Sequence, residues 1–419
     1  SSLVSLETST GALRALVGGP GFVPGRTEVN LALRRRQTGS SIKMFVLTAA
    51  LEAGVQASDL IDGTLPCTLP NPGLPEEPFK ITKGVSHPVS PLAEQTWLSI
   101  NCAYARLAQI VGLNRVVNMT YRLASSSYLS RELYTIQPYA SFSTGANELS
   151  ALDMASGTQT IANGGIHNEP YFIEKIEGPS GLLYQHTLAP SQVITTEVAD
   201  AQVDILKQTL IKGTARRDPL EGNRPAGGKT GTQDDNTNAW FVGYTKQLTT
   251  AVWVGDPKAY TPMVNIPEFV KQDGITRVQG SMYPARIWKQ YMDAAHEGLP
   301  SLDWDAAPAP VASETRPDPN PMRIYLPGNE CLAQVVSGTV PQTTTTTSVK
   351  PGRATTTTTT TPIDLVNPAN TVVVRVVDPG TTIAPTDTNP FSPVNTVAIG
   401  SYWVYECAKP FSPAVQTVP

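Results

Sequence analysis

Ser40-Ser41-Ile42-Lys43 opens an apolar run, Ser99-Ile100-Asn101 opens a second, and Gly228-Lys229-Thr230-Gly231-Thr232 leads into two β-rich stretches. Each short pattern is common alone; their conjunction, in this order and these settings, is not. A serine hydroxyl is a poor nucleophile unless a base accepts its proton. Ser40 and Lys43 are three apart, so on a helix they share a face and the amine reaches the hydroxyl. At the helix N-terminus, free N–H groups and the dipole favour negative charge developing on Ser40. Lysine is a base only when neutral. Its ordinary pKa is about 10.4, and burial beside a second cation, for which Lys229 is the candidate, lowers it. The fold must therefore bring a helix start, a loop and a strand edge to one point.

Within such a site Ser99 relays the proton onward, and Asn101 offers its amide to Lys43 or to a substrate amide. The strand edge at Lys229-Thr230-Gly231-Thr232 pairs with an extended peptide. Gly231 allows close backbone approach, while Lys229, Thr230 and Thr232 hold a carboxylate. The N–H groups of Ser40 and Thr232 form an oxyanion hole. Histidine-based alternatives compete poorly: His87, His167, His186 and His296 include no HxxxH pair and no neighbouring Gly-x-Ser-x-Gly turn.

The periodicity gives a framework around these motifs. Leu3–Leu6 and Leu13–Val17 flank a polar turn and read as a hairpin. A helical stripe follows Ser40 (Ile42, Phe45, Val46, Ala49, Ala50) and stops at Gly54. Residues 56–92 are rich in Pro and Gly without a period, and are expected to be a long surface excursion. Further helices are expected from Asn101 to Gly112, from Leu152 to Gly165, from Val198 to Leu210 and from Pro284 to Ala295. Asn238–Tyr244 and Thr249–Gly255, joined by Lys246-Gln247, read as a second hairpin.

Charged residues are only 16% of the chain and the net charge is −4, too little to argue for a nucleic-acid partner. No apolar stretch reaches the roughly 18 residues a membrane span needs, and the chain, which starts without Met, reads as an excised or processed fragment. Cysteines fall as Cys67 with Cys102 and Cys331 with Cys407. Bridging within each pair is favoured because each lies in one compositional unit; four buried thiols are the alternative. No Cys/His cluster suggests zinc, and no cofactor or metal is expected.

Together, the three motifs are the serine-nucleophile set of penicillin-recognising acyl transferases. Residues 1–295 resemble the transpeptidase domain of class A (bifunctional) penicillin-binding proteins, of an actinobacterial type. Besides the triplets, the resemblance rests on Gly11–Gly19, on Glu148–Ala155 with Ala162–Gly165, and on Ala239–Tyr244. It departs at Thr38 and Met44, where the family often has proline. It implies an α/β (α+β) fold: a five-stranded antiparallel sheet flanked by helices, beside a helical subdomain. It implies an acyl-enzyme on Ser40 formed from the D-alanyl-D-alanine end of peptidoglycan stem peptides, aminolysed by a neighbouring stem, and acylation by β-lactams. It further implies a membrane-anchored parent with an N-terminal glycosyltransferase domain, other cell-wall synthesis proteins as partners, and a place on the extracytoplasmic face.

The expected organisation is a transpeptidase domain over 1–300, a Pro/Ala-rich linker over 301–322, and a small β-rich module over 323–419 with a disordered Thr-rich insert near 342–362. Two other activities share the motifs. One is a D,D-carboxypeptidase; the other is a non-enzymatic β-lactam sensor or wall-binding protein. A β-lactamase is disfavoured because no Glu-x-x-Asn segment lies between Asn101 and Lys229.

Overall fold

The computed structural model describes residues 1–326, apart from 26, 313–315 and 317–318. Of the β-rich module expected over 323–419, all but residues 323–326 lies outside the described residues, as do its Thr-rich insert and the Cys331/Cys407 pair. Residues 1–324 belong to one compact unit, and every motif residue named above falls within it.

At its centre stands a five-stranded antiparallel sheet. Strands β1 (Ser2–Glu7) and β2 (Leu13–Val17) form the N-terminal hairpin. Strands β3 (Gly227–Thr232), β4 (Asn238–Tyr244) and β5 (Leu248–Gly255) form a meander. The order is β3-β4-β5-β1-β2, with Ser2 opposite Trp253 and Glu7 opposite Leu248. β4 is buried along its whole length, which explains its near-continuous apolar sequence: a central strand covered on both faces loses the alternation of a half-exposed one.

Helix α7 (Tyr283–Ala295) lies on the Phe241 face, where Trp288 meets the Phe241 ring edge-on at 4.9 Å among Leu3, Val252 and Met292. Helix α5 (Ala151–Ala162) packs against β1, β4 and β5. A capping box starts it: Ser150 accepts from the Asp153 N–H while the Asp153 carboxylate accepts from the Ser150 N–H. Helix α6 (Thr196–Ile211) lies against β3.

Helix α1 (Lys43–Glu52) departs from the expected single stripe: Lys43 to Leu51 are all buried. Helices α3 (Asn101–Val111), α4 (Leu113–Leu123) and α6 surround it, so it is a central rod. α4 follows α3 without a loop because Gly112, at φ +103°, turns the chain sharply. Residues 56–92 are an ordered excursion: Leu60–Gly63 pairs with His87–Pro91, and Cys67–Leu69 with Phe79–Ile81. A Cys67–Cys102 disulfide ties this excursion to the start of α3, and the short helix α2 (Leu92–Trp97) closes it.

The Pro/Ala-rich segment beyond residue 300 is anchored. Trp304 donates to the Ala162 carbonyl and packs edge-on against Tyr244. Arg316 makes a bidentate bridge to Asp59 (2.6 and 2.7 Å), both side chains buried. Asp59 also accepts from the Gln56 and Met322 N–H groups. Low sequence periodicity conceals these two anchors, since each is a single residue.

Removing one partner of a buried, fully satisfied pair strands the other charge. Asp59→Ala is expected to lower unfolding stability by about 3–5 kcal/mol, measured by urea denaturation. A loss too small to resolve would mean that water reaches Arg316.

Candidate active site

Ser40 lies in a short 3-10 turn, Gly39–Ile42, that runs directly into α1. Gly39 has φ +53°, and a Cβ there would sit 2.6 Å from the Thr232 carbonyl carbon and oxygen. Gly145 (φ +85°) and Gly231 are equally constrained. A Cβ on the first would come within 2.2 Å of the Gly39 nitrogen, and on the second within 2.4 Å of the Thr38 carbonyl. Three bare backbones thus interlock to bring the serine turn against β3. The sequence reading gave Gly231 to substrate approach; in the fold its missing side chain makes room for the Thr38–Ser41 turn. Gly39 and Gly145 were not singled out, although Thr-Gly-Ser and Thr-Gly-Ala are local cues for a tight turn.

The chemistry-bearing residues meet in one polar cluster. Lys43 Nζ is 2.8 Å from both the Ser99 carbonyl and Asn101 Oδ1. Ser40 Oγ lies 3.5 Å from the same Asn101 oxygen. Lys229 Nζ donates to Ser99 Oγ at 2.6 Å and to its neighbour's carbonyl, Thr230 O, at 3.0 Å. Asn101 therefore links Ser40 to Lys43, and Ser99 links the two lysines. Ser99 is held at φ +62°, a conformation that costs a non-glycine residue of order 1–3 kcal/mol. That conformation offers its carbonyl to Lys43 while its hydroxyl meets Lys229.

Both lysines are fully buried, and among the described residues neither pairs with a carboxylate. Burial, with Lys229 as the second cause, holds the Lys43 amine well below the ordinary lysine range. Burial also depresses Lys229, to about 7. The Tyr104 ring, its centroid 5.3 Å from Lys43 Nζ, gives back part of the cation's lost solvation. Tyr104 was not foreseen, since an aromatic one helical turn past Asn101 reads as core.

The hydroxyls of Thr230 and Thr232 are held from either side. Thr230 Oγ1 is 2.8 Å from Thr214 Oγ1, and Thr232 Oγ1 accepts from the Gly280 N–H at 3.1 Å. The Thr214 N–H in turn donates to the Trp97 carbonyl, which couples β3 to the loop bearing Ser99. β3 is an edge strand, so one side of its backbone is open to an incoming peptide. His87, His167, His186 and His296 all lie outside this cluster. Among the described residues no group of three His, Cys, Asp or Glu side chains could hold a metal.

Since Gly145 meets Gly39 at sub-contact distance, Gly145→Ala is expected to displace the serine turn. Acylation of Ser40 by a β-lactam should slow by at least about tenfold, while the far-ultraviolet circular dichroism stays unchanged. An unchanged acylation rate would mean that the turn does not depend on this contact.

Comparisons with known proteins give the chain's family. Residues 1–263 match the family model described as penicillin binding protein transpeptidase domain. Penicillin-binding protein 1A of Aquifex aeolicus is 30% identical over 319 residues, covering 75% of this chain and 41% of that protein. Its namesake in Mycobacterium tuberculosis is 31% identical over 317 residues, covering 71% and 36%. The chain thus spans about two-fifths of the length of these relatives. Among solved structures, the penicillin-binding protein PonA1 of M. tuberculosis superposes with a TM-score of 0.64 at 29% identity, over 73% of this chain and 78% of that one. PonA1 in complex with penicillin V gives 0.63 at 30% identity, over 73% and 80%. The chain belongs to the penicillin-binding protein transpeptidase-domain family.

Proposed function

We propose that this chain is a D,D-transpeptidase that cross-links peptidoglycan stem peptides through an acyl-enzyme on Ser40, and that β-lactams acylate the same residue. The observation that carries the reading is the continuous cluster Ser40–Asn101–Lys43–Ser99–Lys229, with two buried lysines that have no carboxylate partner among the described residues. Ser40 Oγ attacks the carbonyl of the penultimate D-alanine, and its proton passes to Lys43 Nζ. The oxyanion is held by the N–H groups of Ser40 and Thr232. Collapse breaks the C–N bond, and the departing D-alanine nitrogen takes a proton through Ser99. An amine of a neighbouring stem then attacks the ester, loses its proton by the reverse route, and frees Ser40.

Substrate would lie along β3 as an added strand, its terminal carboxylate held by Lys229, Thr230 and Thr232. Asn101 would hold the substrate amide when it releases Lys43. The parent protein is proposed to be membrane-anchored, with a glycosyltransferase domain and other cell-wall synthesis proteins as partners, and to present this domain on the extracytoplasmic face. Its relatives' names and greater length support that proposal. No helix among the described residues is long and apolar enough to cross a membrane.

Intact-mass spectrometry after incubation with benzylpenicillin tests the nucleophile. A stable adduct is expected on the Ser40 peptide and none on Ser40→Ala. Lys43→Ala should slow adduct formation by at least about 10³-fold, because nucleophile and base act as a unit. A near-normal rate in Lys43→Ala would remove Lys43 from the base role.

The pH profile follows from the two depressed lysines. Lys43 must be neutral, so acylation rises with pH through its lowered pKa. Lys229 must be cationic to hold a carboxylate, so acylation falls as pH passes about 7. Lys229→Arg, which does not titrate in this range, is expected to carry the alkaline limb upward. An alkaline limb unmoved in that variant would assign it to another group.

A further inference from the structure

Beside the serine cluster lies a cavity of about 590 Å³, lined by Thr214, Arg216, Arg217, Asp218, Asp273 and Arg286 among others. Its walls are the segments that hold the two threonine hydroxyls of β3. Thr214 bonds Thr230 from one side. Gln279 and Ser281, also in the lining, flank Gly280, whose N–H donates to Thr232 from the other. The cavity therefore adjoins the end of the site that is proposed to receive the terminal carboxylate of the leaving D-alanine, and so the end that an incoming amine must enter once D-alanine departs.

Its charge has a definite sign. Three guanidiniums (Arg216, Arg217, Arg286) against two carboxylates (Asp218, Asp273) leave +1 (3 − 2 = 1). Asp273 is committed, since it pairs with Arg286 at 3.6 Å and accepts from the Tyr283 hydroxyl at 2.6 Å. Arg216 donates to the Gly213 carbonyl. Arg217 is exposed, and its guanidinium makes no hydrogen bond or ion pair with any described residue. Asp218, its chain neighbour, is buried, and Arg286 and Lys289 act on it together with Arg217. An exposed guanidinium that makes no hydrogen bond or ion pair with a described residue, in the wall of a polar, net-positive cavity, is suited to a carboxylate, which it can take in bidentate fashion.

We infer that this cavity is a subsite for the acceptor peptide, in which Arg217 binds a carboxylate lying beyond the attacking amine. The inference rests on the transpeptidase reading and adds to it a determinant of acceptor choice. The terminal carboxylate of the donor remains with Lys229, Thr230 and Thr232; Arg217 takes a second anionic group, carried by the peptide that replaces D-alanine.

The test compares matched acceptors. Ser40 is acylated with a depsipeptide or thioester donor, and the acyl-enzyme is partitioned between water and either glycyl-D-glutamate or glycyl-D-glutamine. These acceptors differ only in a side-chain carboxylate against a carboxamide. Wild type is expected to favour the glutamate acceptor by about tenfold, the scale of one charge-assisted hydrogen bond. In Arg217→Ala the ratio should fall to near one, and Arg217→Lys should keep part of it. Because the ratio is internal to each variant, partial loss of folded protein does not affect it. A wild-type ratio near one, or a ratio unchanged in Arg217→Ala, would overturn the subsite. So would a preference that appears only in the acylation step, with donors that differ in a side-chain carboxylate, since the cavity would then serve the donor. Failure of wild type to form any acyl-enzyme on Ser40 would instead overturn the transpeptidase reading, before acceptors are compared.

Discussion

Everything in this structure answers to the burial of two lysines side by side. Burial pushes both toward the neutral form, and each pKa unit of that displacement is worth ~1.4 kcal/mol. The protein accepts this cost for Lys43 and Lys229 and must hold them rigidly, since any opening that admits water restores their ordinary basicity. The Ser99 carbonyl and hydroxyl, the Asn101 amide and the Tyr104 ring supply the contacts that remain. Burial of α1 on every side follows from the same need. A surface helix could not keep Lys43 dry.

The architecture serves that cluster by converging from distant parts of the chain. α1 supplies Ser40 and Lys43, the α2–α3 junction supplies Ser99 and Asn101, and β3 supplies Lys229. The Cys67–Cys102 disulfide fastens the excursion to the residue after Asn101. Thr214 spans the gap between β3 and the Trp97 carbonyl. The Gly39, Gly145 and Gly231 contacts set the closeness of the serine turn to the strand. A change in any one of these supports would be felt in the Ser40–Lys229 cluster.

The sheet and the principal helices were legible because they follow a period: the hairpin of β1 and β2, the β4–β5 meander, and the helices around Ala155 and Leu206. The residues of the serine cluster were legible because motif spacing is local. What escaped was contact between distant segments. The aperiodic run 56–92 gave no sign of its two strand pairs, since strands of three to five residues are too short to show alternation. α4 was hidden behind Gly112, which reads as an end although it is a corner. Trp304 and Arg316 are single anchors in a Pro/Ala-rich segment, and Thr214 is an unremarkable threonine until β3 is placed beside it. The expected stripe on α1 was too narrow because its neighbours, α3, α4 and α6, cannot be counted from its own sequence.

The register of β1 has a consequence for how the domain is made. Ser2 lies opposite Trp253, so the first strand is sealed into the sheet by one about 250 residues later. During synthesis at roughly 5–20 residues per second, the β1–β2 hairpin emerges more than ten seconds before β5 can pair with it. Throughout that interval Val4 and Leu6, fully buried at the end, face solvent along an unpaired edge. Sheet closure of this kind is slow because its contacts are distant in sequence. A domain that keeps two lysines in a dry interior therefore acquires that interior only after β5 is available, and the interval before closure is when it is most open to aggregation.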